Sequence, residues 1–189
     1  MFNDRYGLTT AVLEGRKAMT RRIIDSKTSS GANDYVQRIH GTGLDFLDYL
    51  LEHSRYKVGE EVAIAQKYSQ IFTEAYLSKR KGSLGDMITG KAWDNKMFVQ
   101  AKVMPHRIRI TDIRVEHLQD ITDEDCMREG IEEYASCCEC GADVYTFFGA
   151  KETYYTPREA FAALIDKVSG KGTWDKNPCV FAYSFELVK

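Results

Sequence analysis

Between Ile108 and Val115 the apolar residues change phase. Ile108 and Ile110 fall at even positions, Ile113 and Val115 at odd ones. A strand presents alternate residues to one face, so a uniform strand here would turn one of the two pairs into solvent. One extra residue near Thr111-Asp112, as a β-bulge or sharp bend, returns both pairs to the same face. Such bends accompany sheets that curl toward a barrel.

The remaining elements are read from periodicity and punctuation. Leu8, Ala11 and Val12 recur at helical spacing, with Gly15 just past the helix, and a short strand ends at Ile23-Ile24. Residues 25–43 carry Ser26, Ser29, Ser30, Gly31, Asn33, Gly41 and Gly43 and read as a loop. Leu44, Leu47, Leu50 and Leu51 predict a short helix ending near His53, packed on the core. A turn over Tyr56–Glu60 precedes a strand over Glu61–Ala65. Tyr68, Ile71, Phe72, Ala75 and Tyr76 predict an amphipathic helix capped by Lys79, Arg80 and Lys81, with a loop over 82–96. Alternation over Met97–Val103 predicts a strand stopped by Pro105. Thr122 is an N-cap with Ile121 stapling on Cys126, and that helix ends at Gly130. Residues 132–156 read as irregular and aromatic. Thr156-Pro157-Arg158-Glu159 is a capping box with Pro at the first helical position, and Phe181, Tyr183, Phe185 and Leu187 stripe a closing strand. Helices and strands mix without regular βα alternation, which indicates an α+β fold in one domain spanning 1–189.

Net charge is -2, so attraction to nucleic acid needs a local patch rather than the whole surface. Residues 1–30 contain no apolar run of signal-peptide type, and no stretch approaches the roughly 20 apolar residues of a membrane span. Five cysteines, an odd number, do not resemble a secreted disulfide framework. A cytoplasmic location without membrane attachment is expected.

The chemistry concentrates in Gly15-Arg16-Lys17-Ala18-Met19-Thr20-Arg21-Arg22, where Arg16, Lys17, Arg21 and Arg22 meet no anion. Lys17 and Thr20 place an amine and a hydroxyl within reach of one anionic or carbonyl group. The plain alternative is a basic surface turn with a capping Thr. Glu129 sits in the last turn of its helix, where the dipole disfavours an anion, and so breaks a local rule; a solvated Glu is the alternative. Arg107, Arg109 and Arg114 form one cationic face with Arg21 and Arg22 if the two strands pair, and otherwise a solvated strand face. Cys137, Cys138 and Cys140 have zinc-like spacing but lack a second pair, so reduced loop cysteines are favoured and neither metal nor cofactor is expected. Common hydrolase and phosphate-loop motifs are absent.

Gly15-Arg16-Lys17-x-x-Thr20, the Val58-Gly59-Glu60 turn, Ile110-Thr111-Asp112-Ile113-Arg114, Asp125-x-x-x-Glu129-Gly130 and the closing Phe185-Glu186-Leu187 resemble the ASCH domain of the PUA-like superfamily. Met104-Pro105-x-Arg107-Ile108 and Gly172-x-Trp174-Asp175-x-Asn177-Pro178 are similar to its longer phage and mobile-element members. The resemblance implies a PUA-like curled β-barrel with flanking helices. Residues 25–55 and 66–96 then read as insertions. It implies a cleft for RNA or a modified nucleoside. One branch hydrolyses the acetyl amide of N4-acetylcytidine with Lys, Thr and Glu, which fall here on Lys17, Thr20 and Glu129. Arg16, Arg21, Arg22, Arg107, Arg109 and Arg114 become the substrate- or RNA-binding candidates. A non-catalytic RNA or modified-base binding module and an RNA-cleaving ASCH protein are the alternatives.

Overall fold

Strand β6, Cys179–Val188, is the one to which the rest of the main sheet attaches. In the computed structural model, which describes residues 2, 4–72, 91–134 and 143–188, its inward rings Phe181, Tyr183 and Phe185 are buried, and so are Ala182 and Ser184 on its other face. A strand covered on both faces belongs in the middle of a sheet. It pairs antiparallel with β1, Met19–Ile23, on one side and with β3, Arg107–His117, on the other. The short β2, Glu61–Ala63, completes the order β1-β6-β3-β2. The fold is α+β, with a curled antiparallel half-barrel sheet and flanking helices.

The phase change has a direct counterpart. Ile110 faces Phe185 and Asp112 faces Ser184, so Thr111 is an extra residue on β3. Past it, Ile113 and Val115 stand opposite Tyr183 and Phe181, on the same face as Ile108 and Ile110. The Tyr56–Glu60 turn clamps this point. Gly59 N–H donates to the Ile110 carbonyl at 2.8 Å, and Ile110 N–H to the Glu60 carbonyl at 3.0 Å. Gly59 has φ +85°, a conformation side chains resist.

Helix α1, Leu8–Leu13, buries Leu8, Ala11 and Val12. Helices α2, Ser26–Ile39, and α3, Gly43–Glu52, form an antiparallel pair. Residues 26–39 are therefore not the loop their Ser, Gly and Asn content suggests. Asp25 caps α2 by accepting from Thr28 N–H, and Gly31 lets Tyr49 of α3 approach closely. Packing and a cap outweigh weak intrinsic propensity. Helix α3 buries Leu50 but leaves Leu44, Leu47 and Leu51 exposed, so it packs on the core less fully than its leucines imply. Helix α4 spans Tyr68–Ile71, and Phe72 is already extended. The rest of the helix expected from Tyr68 onward, with Lys79–Lys81, lies outside the described residues.

Met97–Val103 form no strand. They make two short 3-10 turns, Lys96–Phe98 and Ala101–Val103, and among the described residues no strand pairs with this segment. Helix α5, Asp123–Arg128, starts at Thr122, whose hydroxyl accepts from Asp125 N–H. Strands β4, Glu132–Tyr134, and β5, Val144–Thr146, form a two-stranded hairpin in the region that reads as irregular. Helix α6, Pro157–Ser169, has the full capping box, and α7 is Thr173–Lys176. Among the described residues, no helix is long and apolar enough to cross a membrane.

Candidate functional site

Lys17 lies between the end of α1 and the start of β1, and its position is fixed from both sides. Its own N–H donates to the Ala11 carbonyl at 3.0 Å, and Ala18 N–H donates to the Arg128 carbonyl at 2.8 Å. The second bond ties this segment to the last turn of α5, where carbonyls lack intrahelical partners. Gly130, at φ +100°, turns the chain away directly after Glu129, and the Lys17 stem passes close beside it.

The Lys17 amine donates to the Glu129 carboxylate at 2.5 Å and to the Glu129 backbone carbonyl at 2.7 Å. This resolves the misplaced anion. The helix end that disfavours Glu129 receives a cation that bonds both the carboxylate and an unpaired carbonyl. Lys17 is 3% exposed and Glu129 4%. Burial pulls the Lys17 pKa below its ordinary value, aided by Arg22 and Arg21 and opposed by Glu129.

Arg21 extends the network. Its guanidinium donates to Glu116 at 2.8 Å, to Asp125 at 3.0 Å and to Glu129 at 3.2 Å. Arg114 donates to the same Asp125 oxygen at 2.7 Å. The Asp125 carboxyl is held below its usual range: burial works to raise it, and the bonds from Arg114 and Arg21 outweigh that. Lys17, Arg21 and Arg114 are thus balanced by Glu116, Asp125 and Glu129. Asp125 in α5 and Glu129 at its C-terminal cap are four residues apart, on one helix face, and Glu116 is in phase with Arg114 on β3. That spacing is the signal by which Asp125 and Glu116 are found; in the sequence Asp125 figures only in the Asp125-x-x-x-Glu129-Gly130 motif, without a site role, and Glu116 not at all.

An open cavity of about 660 Å³ borders this network. Lys17, Thr20, Arg22 and Glu129 line it, with Arg5, Lys67 and Lys96 adding cations. The apolar side of α6, through Phe161, Leu164 and Val168, forms the opposite wall. Strand alternation puts Thr20 and Arg22 on one face of β1 and Met19 and Arg21 on the other. Both faces meet the same cavity because β1 is an edge strand.

No family model, curated protein or solved structure matches this chain.

The arginines do not form one cationic face. Strand β6 separates β1 from β3, so the two strands do not pair; Arg21 and Arg114 still meet across it, both opposite Ala182 and both bonded to Asp125, while Arg22 lies on the other face of β1. Arg16 pairs with Glu14 and Glu132. Arg109 pairs with Glu61 at 2.9 Å and Glu186 at 3.3 Å. Arg21 and Arg114 are spent on the carboxylates above, and Arg107 is half-buried at the β2 end of the sheet. Of the six arginines, Arg21 and Arg22 line the cavity. Among the described residues no group of His, Cys, Asp and Glu could hold a metal ion; Cys137, Cys138 and Cys140 lie outside them.

Proposed function

We propose that this chain is an ASCH-like domain with a PUA-like barrel that removes an acyl group from the exocyclic nitrogen of a modified cytidine. The observation that carries the reading is the buried Lys17–Glu129 pair on the wall of a cavity that Thr20 also lines. An amine whose pKa is lowered by burial is a base in its neutral form.

In the reaction, the Thr20 hydroxyl oxygen attacks the acyl carbon while its proton passes to neutral Lys17. The tetrahedral intermediate expels the nucleoside amine, which takes that proton back from the Lys17 ammonium. Water, deprotonated by Lys17, then attacks the acyl–Thr20 ester; the Thr20 oxygen leaves and takes that proton from the Lys17 ammonium, and the carboxylic acid is released. In a direct variant Thr20 orients the attacking water instead. Glu129 holds the Lys17 amine in place and stabilises the ammonium that forms transiently. The apolar wall from α6 suits a planar base and an acyl methyl group, and Arg22 suits polar groups at the rim.

The test is release of cytidine from N4-acetylcytidine, followed by chromatography. Wild-type turnover that falls about 10²- to 10⁴-fold in Glu129→Gln and Lys17→Met, with both variants folded, supports the reading. Absence of turnover by folded wild-type protein between pH 7 and 9 overturns it. The charge balance of the Arg21 network favours a second reading, a non-catalytic module for RNA or a modified base in which these residues are a strut. There, Lys17→Met lowers stability and leaves nucleoside affinity intact.

A further inference from the structure

A second cavity, of about 430 Å³, adjoins the first, and Arg22 and Ile23 line both. The helical pair α2–α3 builds it. Asp25 and Thr28 contribute from the start of α2, and His53, Arg55 and Tyr56 follow the end of α3. Phe181 and Tyr183 of β6 supply the ring-lined side.

Donors outnumber acceptors here. The Asp25 carboxylate is occupied, accepting from Thr28 N–H at 2.9 Å and from the Thr28 hydroxyl at 3.0 Å. The His53 Nδ1 faces the Tyr49 carbonyl at 2.8 Å. The Arg55 guanidinium lies over the Tyr56 ring, 5.5 Å from its centroid, and has no carboxylate partner among the described residues. The Tyr183 hydroxyl is the anomaly. It is 1% exposed, and among the described residues no acceptor is in place for its proton. The backbone amides of Tyr56 and Arg55 face it, so they offer donors where its own proton needs an acceptor. A buried donor left without a partner costs about 1–3 kcal/mol, which a packed protein does not carry without a reason.

The Arg55 guanidinium, an unsatisfied hydroxyl donor and aromatic rings call for an acceptor-rich anion attached to a planar group. Phosphate meets this demand, since guanidinium groups bind its oxygens in pairs. We propose that the second cavity is a phosphate subsite, so that the ligand spanning Arg22 is a nucleotide rather than a free nucleoside. This rests on the nucleoside reading of the first cavity. The phosphate is either the terminal group of a mononucleotide or a diester within RNA, and the two sources share the same contacts.

Calorimetric titration of the full chain with cytidine, cytidine 5′-monophosphate, a 5′-hydroxyl tetracytidylate and inorganic phosphate tests this. The monophosphate or the tetranucleotide binds at least about tenfold tighter than cytidine, the effect of one charge-assisted pair. Preference for the tetranucleotide identifies a diester, preference for the mononucleotide a terminal phosphate, and equal affinity above that of cytidine shows that the subsite accepts either. Arg55→Ala, an exposed position, removes the phosphate advantage. Tyr183→Phe reduces it about fivefold while thermal stability holds or rises, because the unsatisfied hydroxyl is gone. A purely structural Tyr183 moves stability and not affinity. Equal binding of cytidine and both phosphorylated ligands, or an advantage that survives Arg55→Ala, overturns the subsite. Phosphate-dependent binding without deacetylation removes the hydrolase reading and keeps the subsite.

Discussion

Replacing Lys17 with Met tests the electrostatic state of the buried pair. Methionine matches the lysine stem, so packing beside Gly130 is largely kept. The loss is two hydrogen bonds, to the Glu129 carboxylate and to its carbonyl. Each buried acceptor left unpaired costs about 1–3 kcal/mol. Relief of the desolvation of the ammonium offsets part of this, and Arg21 still bonds Glu129 at 3.2 Å. The net is a loss of about 2–4 kcal/mol at neutral pH, less than the total stability of an ordinary domain. The pH dependence decides the matter. With its folded pKa below 10.5, Lys17 binds fewer protons in the folded than in the unfolded state within the window between those two values. Wild-type stability therefore rises with pH across that window, by at most about 1.4 kcal/mol per pH unit. It is lost as pH falls through the folded pKa. The variant lacks this slope, so the stability difference in urea unfolding at matched pH widens from pH 7.5 to 10. A difference that stays flat or narrows over that range would falsify the depressed pKa, and with it the neutral base on which the proposed hydrolysis depends.

Deleting Thr111 removes the extra residue of β3 yet preserves inward alternation, since Ile110 and Asp112 then face adjacent β6 residues. Circular dichroism should stay near wild type while ligand affinity falls about tenfold or more, because a straightened sheet misplaces β1 against the α6 wall. Gly130→Ala forces an alanine to φ +100° and should cost about 1–3 kcal/mol in urea unfolding, although space for the methyl group exists. Burial pushes the Cys126 thiol up to about 12, which leaves about one thiolate in ten thousand at pH 8. In brief native alkylation read by peptide mass mapping, Cys179 should label and Cys126 should not; equal labelling would show that α5 opens readily.

Much of the site was legible because local rules marked it. Glu129 broke the dipole rule, and Lys17 answers it by bonding the same helix end. The phase change at Thr111 marked the bulge, since only one backbone arrangement returns four apolar side chains to one face. What was missed depends on contacts distant in sequence. Helix α2 has a composition that favours loops and forms through its cap and its packing on α3, neither of which periodicity reports. Met97–Val103 alternate like a strand, but a strand needs a partner, and partner choice is a property of the whole sheet. The expected cationic face failed for the same reason. Which strands adjoin is decided by β6, and the arginines are neutralised by carboxylates of other segments, as Asp125 does for Arg21 and Arg114 and Glu61 for Arg109.

A buried ionic network alone is weak support for a site, since such networks also arise as struts. This one lies on the wall of a cavity. Lys17 precedes the strand and is held off its axis by the bond from Ala18 to Arg128, whereas Thr20 is within the strand and faces the other side. In the middle of a sheet those two side chains would stay separated by backbone. Among the described residues β1 has β6 as its one strand neighbour, and there they border one cavity. An edge strand exposes unpaired backbone groups, a liability that proteins commonly cover. A further strand added beside β1 would remove the liability and separate Thr20 from Lys17. Arg22 and Ile23, on this same edge strand, line both the Lys17 cavity and the one beside Arg55, which is where the proposed nucleotide would span the two.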